Sequence, residues 1–149
     1  MIRESCRAII FHNNKLIVMY REKNDRAYFT FPGGGKEEGE TNEECVKREC
    51  FEEFGITVEP QKEVYIYQDE KSLQHFYLCN WVDGELGSGQ GEEFAPDRNS
   101  GIYVPTMMPS ENIGKLPLMP PEIAKALAED IASNIDFMKQ NTKKIEGTF

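Results

Sequence analysis

The sequence predicts a sandwich of the α/β or α+β class, with strands mixed with two helices. Three observations carry this. Short runs rich in aromatic and aliphatic residues alternate with turn signals. Thr41-Asn42-Glu43-Glu44 has the form of a capping box, and Gly55 stands where a left-handed glycine ends a helix. Pro120-Pro121 opens a second segment with helical spacing of apolar residues. At 149 residues, with no internal repeat and no linker, the chain forms one domain over residues 1–149.

The elements follow in order. Ser5–Phe11 reads as a strand centred on Ala8, Ile9, Ile10 and Phe11; Asn13-Asn14 turns the chain, and Leu16–Tyr20 returns, so residues 5–20 form a hairpin. Tyr28–Phe31 is a short aromatic strand stopped by Pro32 and three glycines. The capped helix covers residues 42–54. Val64–Tyr67 and Gln74–Val82 are two further strands, the second carrying the only tryptophan, Trp81. A loop punctuated by Gly87, Gly89 and Gly91 runs from Gly84 to Gly101, and Ile102–Val104 is another strand. The second helix extends over about residues 121–138, with Ile123, Leu127, Ile131, Ile135 and Met138 as its buried stripe. The polar tail, residues 139–149, frays.

Composition excludes several functions. Twenty-six acids against 17 bases leave a net charge of −9. A protein gripping polymeric nucleic acid needs a basic face, and so does a helix lying on an anionic membrane. No apolar run approaches the ~20 residues of a membrane span, and Arg3, Glu4 and Arg7 break up any secretory leader. Cys6, Cys45, Cys50 and Cys79 form no CxxC pair and no zinc spacing with His12 and His75. They read as reduced, buried thiols of a cytoplasmic protein.

The informative segment runs from Gly33 to Ile56. Glu37 to Glu53 holds eight glutamates against Lys47 and Arg48, so −6 of the −9 lies in 17 residues. At about 100° per residue, Glu49, Glu52 and Glu53 share one helical face, beside Val46, Cys50 and Phe54, which pack on the sheet. Like charges so placed repel, and a hard divalent cation among them reverses the sign. Arg48 stands four residues before Glu52 and can hold its carboxylate. A solvated acidic helix is the bland alternative, but two bases are too few to pair eight acids. The preceding Pro32-Gly33-Gly34-Gly35 also lets backbone approach a ligand closely.

These residues resemble the Nudix box, G-x5-E-x7-R-E-U-x-E-E-x-G-U with U a bulky aliphatic residue. Gly34, Glu40 and Arg48-Glu49-Cys50-Phe51-Glu52-Glu53-Phe54-Gly55-Ile56 fill it, with Cys50 at an aliphatic position as the one departure. Phe31-Pro32-Gly33 also fits, and the resemblance covers nearly the whole chain. It implies a Nudix-type α/β/α sandwich, a mixed sheet between helices. It also implies Mg2+- or Mn2+-dependent hydrolysis of a nucleoside diphosphate linked to another group. By the same resemblance Glu49, Glu52 and Glu53 are metal ligands with the Gly33 carbonyl, Glu40 supports the loop–helix turn, and Arg48 orients a carboxylate. Glu93, ahead of Glu92, is a further ligand or general base in the glycine-rich loop. Glu53 or Glu93 takes the proton from water. Gly34, Gly35 and Arg21, with Lys23 beside it, are the candidates to meet the substrate, and for Arg21 and Lys23 plain surface charge after a strand is an equal reading.

The partner implied is a small nucleotide or nucleotide derivative, not polymeric nucleic acid or a membrane, and the protein is a monomer or homodimer. No proline or tyrosine stands among Lys71–Gln74, where ADP-ribose or dinucleoside-polyphosphate enzymes carry one, which points to a nucleoside-triphosphate-type or an orphan pyrophosphohydrolase. Tyr65, Tyr67, Phe76, Tyr77 and Trp81 read as core rather than base-stacking residues. His75 reads as a hydrogen-bonded structural residue. Two other classes compete with the enzyme: a catalytically silent nucleotide sensor and a plain acidic interaction domain.

Overall fold

The computed structural model describes residues 2–87 and 101–147. One sheet contains β1 (Arg3–Ile9), β5 (Gly33–Gly35), β6 (Ile56–Gln68), β7 (Ser72–Gly84) and β10 (Lys143–Glu146), in the order β10-β6-β7-β1-β5. β1 runs parallel to β7 and antiparallel to β5; β6 and β7 form a long antiparallel pair. The second sheet joins β2 (Phe11–His12), β3 (Lys15–Lys23), β4 (Arg26–Thr30) and β9 (Leu118–Met119), with β8 (Ile102–Pro109) on the other edge of β3. Helix α1 (Asn42–Phe54) lies over a core of Cys6, Ala8, Ile10, Ile17, Met19, Cys50 and Phe54. Helix α2 (Pro121–Ala132) closes a second core containing Ile9, Val18, Phe31, Tyr65, Phe76 and Leu127. Mixed sheets thus lie between two helices, the α/β/α sandwich expected.

Helix α1 keeps its expected bounds because each end has its own chemical stop. The Thr41 hydroxyl accepts from Glu44 N–H at 3.1 Å, and Glu44 accepts from Thr41 N–H at 2.8 Å. Gly55, at φ 73°, donates to the Phe51 carbonyl. Tyr65, Tyr67, Phe76 and Tyr77 are core, Trp81 is partly buried, and all four cysteines are free and buried. Among the described residues no helix is long and apolar enough to cross a membrane.

Four expectations about strand and helix bounds need correction, and a fifth about the tail. The hairpin over residues 5–20 is reduced to Phe11–His12 pairing with Lys15–Leu16. Residues before Ile10 pass into the other sheet, where both faces are covered: Ile9 enters one core and Ile10 the other. The strand before the turn at residues 69–71 begins at Ile56, not Val64, because register shifts near Pro60 break the alternation that marks a strand. The strand after Gly101 continues to Pro109, paired along the whole of β3. Helix α2 stops at Ala132, not 138: Asn134 adopts φ 53°, a left-handed stop, and Met138 is 50% exposed.

The tail is not frayed over its described length, which ends at residue 147. β10 adds in parallel to the open edge of β6, where backbone pairing needs few apolar side chains. Thr142 donates to the Glu63 carbonyl at 2.8 Å, and Lys143 reaches buried Asp130 at 2.6 Å. Asp130 also accepts from the Tyr65 hydroxyl at 2.7 Å. His75 is structural as expected, its ring nitrogens 2.6 Å from Glu63 and 2.7 Å from Glu4.

Candidate active site

Pro32 ends the aromatic strand, and the three glycines that follow lie antiparallel to β1, with Gly33 opposite Arg7 and Gly34 opposite Cys6. The approach is so close that only glycine fits at Gly33. Its φ is +142°, and a Cβ there would lie 2.1 Å from the Cys6 carbonyl oxygen. A Cβ on Gly34 would meet the Glu49 carboxylate at 2.7 Å. The glycine strand thereby makes room for the acidic face of α1.

Arg48 organises that face. Its Nε donates to Glu40 at 2.6 Å and its Nη2 to Glu40 at 3.1 Å, a bidentate pair. Nη1 donates to Glu49 and to Glu52, each at 3.0 Å, and Nη2 to the Gly35 carbonyl at 3.0 Å. Glu40 also accepts from Glu37 N–H at 2.9 Å, so the loop before the helix is tied to the helix through one guanidinium. Glu53 points the other way and accepts from Gly33 N–H at 2.9 Å. The Gly33 carbonyl accepts from Arg7 Nη1 at 3.0 Å, as Phe31 does at 3.2 Å.

Glu49, Glu52, Glu53 and Gly33 thus lie along the β5–α1 junction, but the carboxylates are divided between different partners. Glu49 and Glu52 lie on Arg48, while Glu53 and Glu49 both face the charge of Arg7. Among the described residues no three acidic, histidine or cysteine side chains close on a common metal position. In kind the donors suit a hard divalent cation, since all are carboxylate or carbonyl oxygens. Burial pushes the Glu49 carboxyl up against the pull of Arg48, which marks an anion short of positive charge. Gly34 and Gly35 line the same strand; the Gly34 carbonyl faces the Cys45 thiol at 3.6 Å. Glu92 and Glu93 lie outside the described residues. Arg21 is not on the glutamate face: it donates to the Tyr103 hydroxyl at 2.9 Å, its guanidinium 4.5 Å from that ring.

Arg7 is the site residue that sequence reasoning missed. Desolvation pulls its pKa down, and Glu53 and Glu49 push it back. The available signal was a lone cation inside the apolar run Cys6–Ile10. An arginine in a mostly buried strand needs anions or carbonyls, and the facing Glu-rich helix supplies them.

The Glu40–Arg48 pair has a pH signature. Arg48 holds the Glu40 carboxyl down at about 2, against an ordinary 4.5. The pair's stabilisation is therefore full above the ordinary value and is lost as the pH falls from there through about 2. Glu40→Gln is expected to lower the melting temperature clearly at pH 7 and much less near pH 3. An equal loss at both pH values, measured by thermal melts followed by circular dichroism, contradicts this assignment.

A family model described as NUDIX domain matches residues 1–128. An ADP-ribose pyrophosphatase from Streptococcus suis 89-1591 is similar over 97% of this chain and 99% of its own, with 23% identity and a TM-score of 0.67. A NUDIX hydrolase from Nitrosomonas europaea aligns with a TM-score of 0.72 and 16% identity over 97% of this chain and 79% of its own. A MutT structure, from a study of the Aliivibrio salmonicida and Vibrio cholerae proteins, aligns at 0.68 and 20% identity over 91% and 100%. No curated protein matches. At such identities these structures establish the fold, whereas the family match spans most of the chain, including the glycine strand and the Arg48-centred helix. The chain therefore belongs to the NUDIX domain family, hydrolases of the pyrophosphate bonds in nucleotide derivatives.

Proposed function

We propose that this protein hydrolyses a pyrophosphate bond in a nucleoside diphosphate linked to another group, a nucleoside triphosphate or related nucleotide, with Mg2+ or Mn2+. The observation that carries the proposal is the row of Glu49 and Glu52 on Arg48 and Glu53 on the Gly33 N–H along the β5–α1 junction, with Glu49 partly stripped of water. Glu49, Glu52, Glu53, Glu93 and the Gly33 carbonyl would hold the cation, which when bound would supply positive charge for the phosphoryl oxygens and a lowered pKa for water. The chain's own residues do the rest. Arg48 fixes the carboxylates of Glu49 and Glu52. Glu53, oriented by Gly33 N–H, or Glu93 takes the proton of the attacking water. Arg21 and the Gly34–Gly35 backbone position the substrate. The four buried free thiols support a cytoplasmic setting, and we read the protein as a monomer or homodimer.

The test is pyrophosphate or phosphate release across nucleoside triphosphates and nucleotide sugars, with and without Mg2+. Turnover that needs the metal supports the enzyme; binding without turnover supports a silent sensor instead.

Metal also has a thermal readout. The folded pKa of Glu49 is raised, so this group's contribution to stability is lost as the pH rises through that raised value. Glu49→Gln removes the cost and is expected to raise the melting temperature of metal-free protein slightly at pH 7. Millimolar Mg2+ is expected to raise that of the wild type and to have little effect on the variant. An equal Mg2+ shift in both proteins overturns Glu49 as a ligand.

A further inference from the structure

A second concentration of charge, of opposite sign, lies at the far end of the β3–β4 hairpin. Arg21 pairs in register with Tyr28 on β4 and with Tyr103 on β8, and Lys23 pairs with Arg26. Side chains two apart on a strand share a face, so these five residues occupy one face of the second sheet. At its end a hollow of about 400 Å³ is lined by Lys23, Asn24, Arg26, Tyr28 and Met119. The protein carries −9, yet among the described residues no carboxylate lies within ion-pair distance of Arg21, Lys23 or Arg26. Arg21 Nε is buried and has no hydrogen-bond partner among those residues. Three unpaired like charges and an orphaned donor are both unfavourable in the free protein. An anion with several acceptor oxygens in the hollow relieves the repulsion between Lys23 and Arg26 on its wall.

A stacked base fits less well. Arg21 and Arg26 already approach the Tyr28 ring, at 5.5 Å and 5.9 Å, and Tyr103 covers the Arg21 guanidinium. What remains for a ligand is the donor edges of the cations. The hollow is also linked to the glutamate site through the chain: Arg26 and Tyr28 on its wall belong to β4, which runs on through Phe31 and Pro32 into the glycine strand Gly33–Gly35.

We infer that the β3–β4 hollow, with Lys23 and Arg26 on its wall and Arg21 adding charge from the neighbouring position behind Tyr28, is a subsite for a phosphate or similarly charged group at the distal end of the substrate. It selects nucleotides whose second moiety carries its own negative charge over those ending in a neutral sugar. This rests on the hydrolase reading above, so the test has a binding arm independent of turnover.

The kinetic arm compares kcat/KM for a nucleoside triphosphate with that for the corresponding nucleoside diphosphate hexose, in wild type and Lys23→Ala/Arg26→Ala. The ratio is expected to fall about tenfold in the double variant and to be kept in Lys23→Arg/Arg26→Lys, where the charge remains. The binding arm titrates inorganic tripolyphosphate by calorimetry at low salt without divalent metal. Affinity is expected to drop about tenfold in the alanine variant and little in Glu53→Gln. Both substituted residues are exposed at a hairpin end, and thermal melts check that the variants fold. An unchanged ratio in an active enzyme overturns the subsite and leaves the hydrolase standing. If no nucleotide is cleaved the hydrolase reading fails, and tripolyphosphate affinity equal in wild type and alanine variant then overturns the subsite on its own.

Discussion

Glu53→Gln is expected to lower turnover with Mg2+ by about 10²- to 10⁴-fold, the range for losing a general base, while the protein stays folded. The two halves of this expectation have separate causes. Gln keeps the acceptor oxygen for Gly33 N–H, so the 2.9 Å bond between strand and helix survives. Arg7 loses one facing charge but keeps Glu49 and its bonds to the Phe31 and Gly33 carbonyls. What disappears is the carboxylate charge that the proposed roles of Glu53, proton transfer and cation binding, require. Pyrophosphate release and a thermal melt on the same preparation check both halves. Near-native turnover sinks the role given to Glu53.

The second large effect separates two adjacent glycines. Gly33→Ala is expected to destabilise the domain by about 3–5 kcal/mol, combining backbone strain with overpacking. Its Cβ would overlap the Cys6 carbonyl oxygen and lie 2.8 Å from Arg7 Cα, and backbone cannot yield there without parting β1 from β5. Gly34→Ala meets only the Glu49 carboxyl group, the far end of a flexible side chain. It is expected to leave stability nearly intact, to displace Glu49, and to lower kcat more than 10-fold. Denaturant melts with turnover measurements distinguish the two. A Gly33→Ala protein as stable as wild type contradicts the close approach, and a fully active Gly34→Ala protein contradicts the role of Glu49.

Helix α1 was legible to the residue because its stops are local. A threonine hydroxyl, a glutamate three residues on and a left-handed glycine act through neighbouring backbone atoms. The glutamate face was legible for the same reason, since helical geometry alone puts Glu49, Glu52 and Glu53 together. Helix α2 was misjudged at its end because Asn134 supplies a stop that apolar periodicity does not register. β6 was half hidden: Pro60 and three charged neighbours break its pattern, while its hydrogen bonds come from β7, a separate segment of the chain.

The sequence by itself determined the class of fold, the bounds and cap of α1, and the spacing of the glycines and glutamates, because each depends on groups close along the chain. Only the tertiary structure decided that Arg48 joins Glu40, Glu49 and Glu52, and that Arg7 donates to the carbonyl of Gly33, whose N–H holds Glu53. It alone also sent β1 out of its hairpin and brought the polar tail onto β6. These are pairings between distant segments, set by which charges and backbone edges remain unsatisfied once the local elements have formed.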